Sequence, residues 1–252
     1  MSLRSLAAPA CLLTLLVLSG VPSPAFGQGA PAAAPEWSDP PRVHVGGHGI
    51  VAQPVGEFSD YVRVGGGVSG FGRVALDRAG LVSLRADLSF LTYGQERQRV
   101  CLVQPCRVEV DLITSNDILL LDAGPELRIP LMGSDGRVGL RAGAGAGLAY
   151  FSTRSRVEDN DGETVASDDN YSDTGLGWRA GGGLEVALSR GRTPVALDLG
   201  VEYRGNGRRE YLTSGDITDL PDGSLEFNVR RSDADFLLWR VGVSVGLRPD
   251  RD

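Results

Sequence analysis

The sequence predicts an all-β fold, an eight-stranded antiparallel up-and-down transmembrane β-barrel with short turns at one rim and long loops at the other. Three observations lead to this prediction. Apolar residues alternate with small or polar residues in eight separate segments, as expected of strands with two different faces. The links between these segments alternate in length. The 252 residues suit one barrel domain, and 35 of them are glycines without a three-residue period.

The N-terminus has the features of an export signal. Arg4 provides a positive charge, residues 11–19 are apolar, and small residues at positions 25 and 27 fit a cleavage site. The apolar run is too short to cross a bilayer as a helix, which takes about 20 residues. The predicted organisation is a signal peptide over residues 1–27, a flexible Ala/Pro-rich arm over 28–41, a barrel over 42–248 and a C-terminal tail over 249–252.

Four strands are predicted in the first half of the chain, at residues 43–51, 62–76, 82–90 and 118–129. In residues 82–90 the apolar positions are separated by Arg85, Asp87 and serines, so the two faces differ sharply. The apolar face of these four strands comprises Val43, Val45, Val51, Val62, Val64, Val68, Val74, Leu76, Val82, Leu84, Leu88, Phe90, Leu119, Leu121, Leu127 and Ile129.

Four more strands are predicted at residues 138–150, 176–188, 195–204 and 236–247. Residues 195–204 place Leu197 and Val201 on one face and the acidic Asp198 and Glu202 on the other. Residues 236–247 alternate over their whole length, which makes this the best-defined strand.

The predicted links are short around residues 77–80, 132–136 and 189–192. They are long and polar around 94–115, 153–174 and 206–234, with a shorter link at 53–61. Short turns on one rim and long loops on the other are typical of outer-membrane barrels. The short turns would then face the periplasm and the long loops the cell exterior.

Large aromatic residues gather at the long-loop ends of the predicted strands. A ring of such residues at one level is typical of a membrane interface. The predicted aromatic girdle comprises Phe90, Tyr150, Trp178, Tyr203 and Trp239.

The two faces of the predicted strands differ in residue size as well as polarity. The polar face consists mostly of Gly, Ser and Ala with isolated charges, whereas the apolar face carries bulky aliphatic and aromatic residues. An eight-stranded barrel has a narrow interior, so the small residues favour an inward polar face and lipid outside. The alternative is a soluble lipocalin-like periplasmic barrel with an apolar interior that binds a ligand.

Fourteen charged residues fall on the predicted inner face. Charges in a narrow lumen need partners, because an unpaired buried ion costs several kcal/mol. We therefore expect a salt-bridge network that fills the lumen, and the alternative is a polar path for ions. The predicted network comprises Arg63, Arg73, Arg85, Asp87, Asp122, Glu126, Arg128, Arg141, Arg179, Glu185, Asp198, Glu202, Arg204 and Arg240.

Over residues 42–248 the chain resembles the small outer-membrane β-barrel domain family, which includes OmpA-like and OmpX-like barrels. Its last strand, with Gly242 followed by Val243 and Val245, is similar to the pattern read by the outer-membrane assembly machinery, although Leu247 replaces the usual terminal aromatic residue. The resemblance implies export to the bacterial outer membrane, insertion by that machinery, and contact with outer-membrane lipids and lipopolysaccharide. A C-terminal peptidoglycan-binding domain is not expected.

Other motifs give little sign of chemistry. Cys101 and Cys106 are expected to form a disulfide in an exported protein. His44 and His48 fall on one strand face, over about 13 Å apart, too far to share a metal ion. The sequence places no serine predictably beside either histidine. The acidic stretch 158–173 is expected to be a solvated loop, and a specific ion site is the alternative.

We therefore expect an outer-membrane protein with a structural or surface-interaction role, without catalytic residues, cofactor or metal, and monomeric. The alternatives are a narrow pore or transport accessory, a lipid-modifying enzyme and the soluble barrel. The net charge of −7 argues against nucleic-acid binding, which requires a basic surface.

Overall fold

The computed structural model describes residues 41–101, 109–131, 136–159, 161–191, 193–219 and 225–248. The predicted signal peptide and tail lie outside these residues, as does the predicted arm except for Pro41. The elements in chain order are β1 (Val43–Pro54), α1 (Phe58–Tyr61), β2 (Gly65–Ala75), β3 (Val82–Cys101), β4 (Glu109–Pro130), β5 (Val138–Glu158), β6 (Thr164–Ala187), β7 (Val195–Gly205), β8 (Arg208–Tyr211), β9 (Ile217–Asp219), β10 (Leu225–Phe227), β11 (Arg230–Asp233) and β12 (Phe236–Leu247). No described helix is long and apolar enough to cross a membrane.

Eight of the strands close into one barrel. Each pairs antiparallel with its neighbours in the order β1-β12-β7-β6-β5-β4-β3-β2, so neighbours in the sheet are also successive barrel strands along the chain. The first and last strands complete the circle, with Val43 opposite Leu247 and Pro54 opposite Phe236. Closure leaves no edge strand in the barrel wall, and this is the only way a sheet can satisfy its backbone in lipid.

The short turns build one rim of the barrel. In the turn between β2 and β3, the Asp77 carboxylate accepts hydrogen bonds from the amides of Val82, at 2.7 Å, and Ala79, at 3.1 Å. Gly80 has φ of 69°, a conformation that glycine adopts without a steric cost. The rim with these turns is called the short-turn end below, and the opposite rim is the long-loop end.

The barrel strands fall into two length classes. β1, β2, β7 and β12 contain 11 or 12 residues, close to the span of a tilted membrane strand. β3 to β6 contain 20 to 24 residues and continue past the long-loop end of their neighbours. The prediction of long loops at 94–115 and 153–174 was therefore largely wrong, because most of these residues extend strands.

The outer face of the barrel carries an apolar belt. Its side chains are strongly exposed, with Leu176 76% exposed and Val68 63% exposed. An apolar surface of this kind would promote aggregation in water but suits contact with lipid. The belt comprises Val43, Val45, Val51, Val68, Val74, Leu84, Leu88, Phe90, Leu119, Leu121, Leu127, Ile129, Leu140, Leu148, Leu176, Trp178, Leu184, Trp239, Val241, Val243 and Leu247. The inner face holds buried charges, which is the reverse of a lipocalin-like interior.

Candidate functional site

The lumen of the barrel is filled by side chains in successive layers. Two layers of ion pairs occupy the short-turn end and the middle, and an apolar layer occupies the long-loop end. We call these the mouth cluster, the middle cluster and the apolar plug.

The mouth cluster consists of Arg73, Arg128, Arg141, Glu126 and Glu185. Arg73 donates to Glu126 at 3.0 Å and to Glu185 at 3.2 Å. Arg141 donates to the same two carboxylates, and Arg128 donates to Glu185 at 2.9 Å. Because these residues come from β2, β4, β5 and β6, the cluster ties the barrel wall together across its lumen.

The middle cluster consists of Arg179, Arg204, Arg240, Asp87, Asp122 and Glu202. Arg179 contacts all three carboxylates. Arg204 donates to Asp122 at 2.6 Å, and Arg240 donates to Glu202 at 2.8 Å. These charges are matched in number and buried, which is the arrangement that offsets the cost of desolvating ions.

Arg85 links the two clusters. Its side chain is fully buried and donates to Asp87 at 2.7 Å and to Glu126 at 3.1 Å. The guanidinium also lies 3.9 Å from the centroid of the Phe71 ring. A Cβ at Gly46 would come within 2.5 Å of that ring, so the wall needs glycine at this position.

The prediction for Arg63 was wrong. Arg63 is exposed and precedes β2, outside the ladder of paired strands. Val62 next to it is buried instead. The chain enters the sheet only at Gly65, so the alternation of residues 62–64 reflects the packing of the segment after α1 and not a strand face. The other thirteen predicted network residues lie in the lumen and are buried or, in the case of Arg128, partly buried.

His48 lies between a serine and a carboxylate, an arrangement the sequence did not reveal. Its Nδ1 is 3.1 Å from the Ser69 hydroxyl and its Nε2 is 3.5 Å from Asp198. The imidazole is buried and stacks on Phe71 with centroids 4.9 Å apart. Ser69 comes from β2 and Asp198 from β7, so only the closed barrel brings the three residues together. His44, the other histidine of β1, lies nearer the short-turn end.

The apolar plug closes the lumen at the long-loop end. Phe58 of α1 projects into a group of aromatic rings, with centroid distances of 5.1 Å to Tyr211 and 5.9 Å to Tyr93. The Tyr93 hydroxyl donates to the Leu212 carbonyl at 3.2 Å. The plug comprises Ile50, Ala52, Phe58, Val62, Leu91, Tyr93, Ile118, Leu120, Ala149, Phe151, Tyr211, Ala234, Phe236 and Leu238.

The link between β7 and β12 folds into a separate structure, which we call the lobe (described residues 206–219 and 225–235). Within it β8 pairs with β11 and β9 pairs with β10. Burial disfavours ionisation of Asp216, but hydrogen bonds from Arg230 and Thr213 outweigh this and hold the pKa of Asp216 below its usual range. The lobe contributes Tyr211 to the plug, so it covers the long-loop end of the barrel.

The strand extensions form a protruding sheet, defined as residues 94–101, 109–117, 152–158 and 164–173. Ladder pairing of β2 with β3 ends at Thr92, and ladder pairing of β7 with β6 ends at Trp178. Within the described ranges, residues 94–101 of β3 therefore have no strand partner on the edge opposite β4. Residues 164–172 of β6 likewise have none on the edge opposite β5.

A groove of about 270 Å³ separates the inner face of the protruding sheet from the lobe. Leu112, Val157 and Ile217 provide apolar walls, and Glu96 and Asp168 provide acidic ones. Hydrogen bonds from Gln98 and Ser214 lower the pKa of Glu96, so this carboxylate stays ionised to lower pH.

The acidic stretch 158–173 is mostly strand, which corrects the prediction of a solvated loop. β5 ends at Glu158 and β6 begins at Thr164, and between them Asp159 accepts from the Asp161 and Glu163 amides at 2.9 Å. The described residues contain no group of three His, Cys, Asp or Glu side chains placed to hold a metal ion.

Each predicted girdle residue faces outward near the long-loop end. Phe90, Trp178 and Trp239 are exposed, while Tyr150 and Tyr203 are partly exposed. Trp178 packs on Tyr203 with centroids 5.3 Å apart, and the Tyr203 hydroxyl bonds Asp235 at 2.6 Å. Cys101 ends β3, but Cys106 and the side chain of Cys101 lie outside what the structure describes, so the disulfide remains a prediction.

Comparison with known proteins gives matches among solved structures alone. No family model matches the sequence, and neither does any curated protein. Neisserial surface protein A is similar with a TM-score of 0.46 and 14% identity, over 81% of this chain and 97% of that chain. Ail, the attachment invasion locus protein of Yersinia pestis, has a TM-score of 0.43 and 12% identity over 82% and 98% of the two chains. A major outer membrane protein from Thermus thermophilus has a TM-score of 0.39 and 14% identity over 80% and 98%.

The fold is assigned from the closed sheet itself and not from these distant similarities. Eight successive strands pair in up-and-down order, short turns join them at one end, and long excursions project from the other. The fold class predicted from the sequence, an eight-stranded antiparallel up-and-down β-barrel, is confirmed.

Proposed function

We propose that this protein is a bacterial outer-membrane barrel whose role is interaction at the cell surface through its protruding sheet. In this proposal the long-loop end faces outward, the belt contacts lipid, and lipopolysaccharide surrounds the protruding sheet. Insertion would depend on the outer-membrane assembly machinery. The four strands that continue past the belt carry the proposal, since the seven to ten residues by which each one protrudes reach roughly 23–33 Å along the strand.

The open edges of the protruding sheet suggest how a partner would bind. Residues 94–101 and 164–172 present backbone donors and acceptors that a strand of another protein could pair with. Ion pairs such as Arg97–Asp111 at 2.8 Å and Arg154–Asp169 at 2.6 Å cover the outer face near both edges. Charges near an edge restrict indiscriminate pairing, so the partner is expected to be specific.

A filled lumen favours this role over a pore. The apolar plug and the two charged clusters lie in series along the barrel axis, and an eight-stranded barrel leaves little room beside them. The purified protein in planar bilayers is therefore expected to give no stable conductance steps. Regular single-channel steps would support the pore.

The surface role is tested by trimming the protruding sheet. A variant with short Gly-Ser turns in place of residues 95–115 and 154–170 should still enter the membrane and show heat-modifiable gel mobility. Cells displaying the full barrel should adhere to epithelial monolayers or to one another more strongly than cells displaying the variant. Equal adherence at equal display would contradict the proposal.

The Ser69–His48–Asp198 arrangement favours a second candidate function, acyl hydrolysis with Ser69 as the nucleophile. The burial of His48 and its stacking on Phe71 count against this, because a general base needs access to a substrate. A fluorophosphonate probe should leave the protein unlabelled. Labelling that is lost in Ser69→Ala but kept in Ser89→Ala would establish the hydrolase.

A further inference from the structure

The lumen opens at the short-turn end into a cavity of about 490 Å³. All eight barrel strands contribute lining residues, so the cavity lies inside the barrel mouth and opens to water at that rim. The apolar plug and the middle cluster block the route from the long-loop end. Any ligand must therefore come from the compartment that the short turns face.

The lining of the cavity is strongly basic. Its charged residues among those the structure describes are five arginines and one carboxylate, namely Arg73, Arg128, Arg141, Arg190, Arg248 and Glu185. The middle cluster, by contrast, pairs three arginines with three carboxylates. Even with Glu126 of the mouth cluster included, arginines outnumber carboxylates five to two where the lumen meets water, and this positive charge will attract anions.

Several buried polar atoms of the lining make no hydrogen bond within the described part of the chain. They are Nδ1 of His44, Nε of Arg141 and Oγ of Ser244. Ser244 is 1% exposed and Arg141 6%. Buried polar groups normally have partners, so these atoms indicate a ligand or ordered water in the cavity.

We propose that this cavity binds a water-soluble, phosphate-bearing anion of about the size of pyrophosphate. Arginine forks match phosphate oxygens in geometry as well as charge. At Arg141 the Nε has no partner within the described residues beyond the ion pairs that the other two nitrogens make with Glu126 and Glu185. Because the cavity lies inside the barrel and opens to water, a free anion can enter it without leaving the aqueous phase, whereas a lipid headgroup would have to leave the bilayer. The inference does not depend on the surface role, which concerns the opposite end of the barrel.

Calorimetric titration with pyrophosphate tests the proposal. The protein is purified in dodecyl maltoside and exchanged into phosphate-free buffer. Wild type should bind with an affinity that falls as salt rises. Arg128→Gln and Arg190→Gln should each weaken binding about tenfold or more, as expected for the loss of a charged hydrogen bond. His44→Phe should also weaken binding by filling the cavity without changing an arginine.

The matched control is Arg78→Gln, which removes one arginine from the same rim. Arg78 is exposed in the turn between β2 and β3 and does not line the cavity, so binding should not change. Heat-modifiable mobility shows that each variant is folded.

Three results would overturn the proposal. The first is a failure of wild type to bind, and the second is an Arg78→Gln variant that loses as much affinity as the cavity variants do. The third is binding that appears only after removal of residues 249–252, which would mean that the chain's own acidic tail is the occupant. A lipid headgroup as the natural ligand would be revealed by loss of pyrophosphate binding in phosphatidylglycerol nanodiscs but not in phosphatidylcholine nanodiscs.

Discussion

The two ends of the lumen are built from the same strands but have opposite chemistry. At the long-loop end the inward positions of β12 are occupied by Phe236 and Leu238. The next inward position, two residues further along the strand, is occupied by Arg240. On β3 the inward face changes in the same way, from Arg85 and Asp87 to Leu91. The apolar plug and the charged clusters therefore share one wall.

The difference lies in where the remaining partners come from. Every residue of the mouth and middle clusters belongs to a barrel strand, so those ion pairs form only when the wall is complete. The apolar plug also takes Phe58 from α1 and Tyr211 from the lobe, neither of which is part of the wall. We infer that the charged clusters stabilise the barrel itself, whereas the plug couples the long-loop segments to it.

The largest expected effect is in the charged clusters. Glu126→Gln removes the one carboxylate that Arg73, Arg85 and Arg141 all contact, and breaking a buried ion pair costs about 3–5 kcal/mol. Urea unfolding followed by tryptophan fluorescence should show this loss. Glu163→Gln makes the same chemical change at an exposed turn and should leave the free energy of unfolding unchanged. A similar small effect in both variants would show that the clusters do not hold the wall together.

Truncation at the plug should act locally. Phe58→Ala removes the central ring and should destabilise the packing of the lobe on the long-loop end of the barrel by about 3 kcal/mol, as for other buried Phe to Ala changes. Faster amide exchange in the lobe, with protection in β1 and β12 retained, is the expected pattern. Phe227→Ala, at an exposed site of the lobe, is the control. Equal loss of protection in the barrel strands would contradict the separation of plug and wall.

A smaller effect is expected where the barrel meets the lobe. Tyr93→Phe removes the hydrogen bond to the Leu212 carbonyl and should weaken lobe packing by about 1 kcal/mol. Tyr61→Phe changes an exposed tyrosine and serves as the comparison. Amide exchange near Leu212 measures the effect, and no difference between the two variants would mean that the bond contributes nothing.

The smallest expected effect depends on pH and is confined to the lobe. The pKa of Asp216 is lowered on folding, so its ionised form stabilises the lobe above the ordinary carboxyl pKa, and this contribution is lost as pH falls through the lowered value. The Thr213 amide donates to Asp216 at 2.9 Å, so its NMR signal should report the loss on titration from about pH 6 to about pH 3. In Arg230→Gln the transition should move to higher pH, and an unmoved transition would contradict the assigned cause.

Hydrophobic alternation was enough to predict the wall but not the extensions. The segment 236–247 was predicted at its true bounds because apolar and small residues alternate throughout it. Residues 164–173 include Asp168 and Asn170 but have no apolar face, and most of their side chains are exposed. A strand solvated on both faces cannot be distinguished from a polar loop by its pattern alone.

The composition of the lumen was only partly predictable. Alternation placed Arg85, Glu126 and Arg179 on the inner face, but which carboxylate each contacts depends on distant strands. The apolar plug was missed because Leu91 and Phe151 lie just past the predicted strand ends. A signal was present at residues 236–238, where both faces are apolar, and this indicates an apolar interior at that level.

The pairing of Val43 with Leu247 also limits when the protein can fold. The contact joins the two ends of the described chain, so the ring can close only after ribosomal synthesis has passed residue 247. Because such a distant contact costs much loop-closure entropy, we expect it to form late in folding. A chain that stopped before residue 236 would expose β1 and β7 as two unpaired edges, and such edges promote aggregation. The barrel therefore cannot close without β12, since only this strand pairs with the free edges of both β1 and β7.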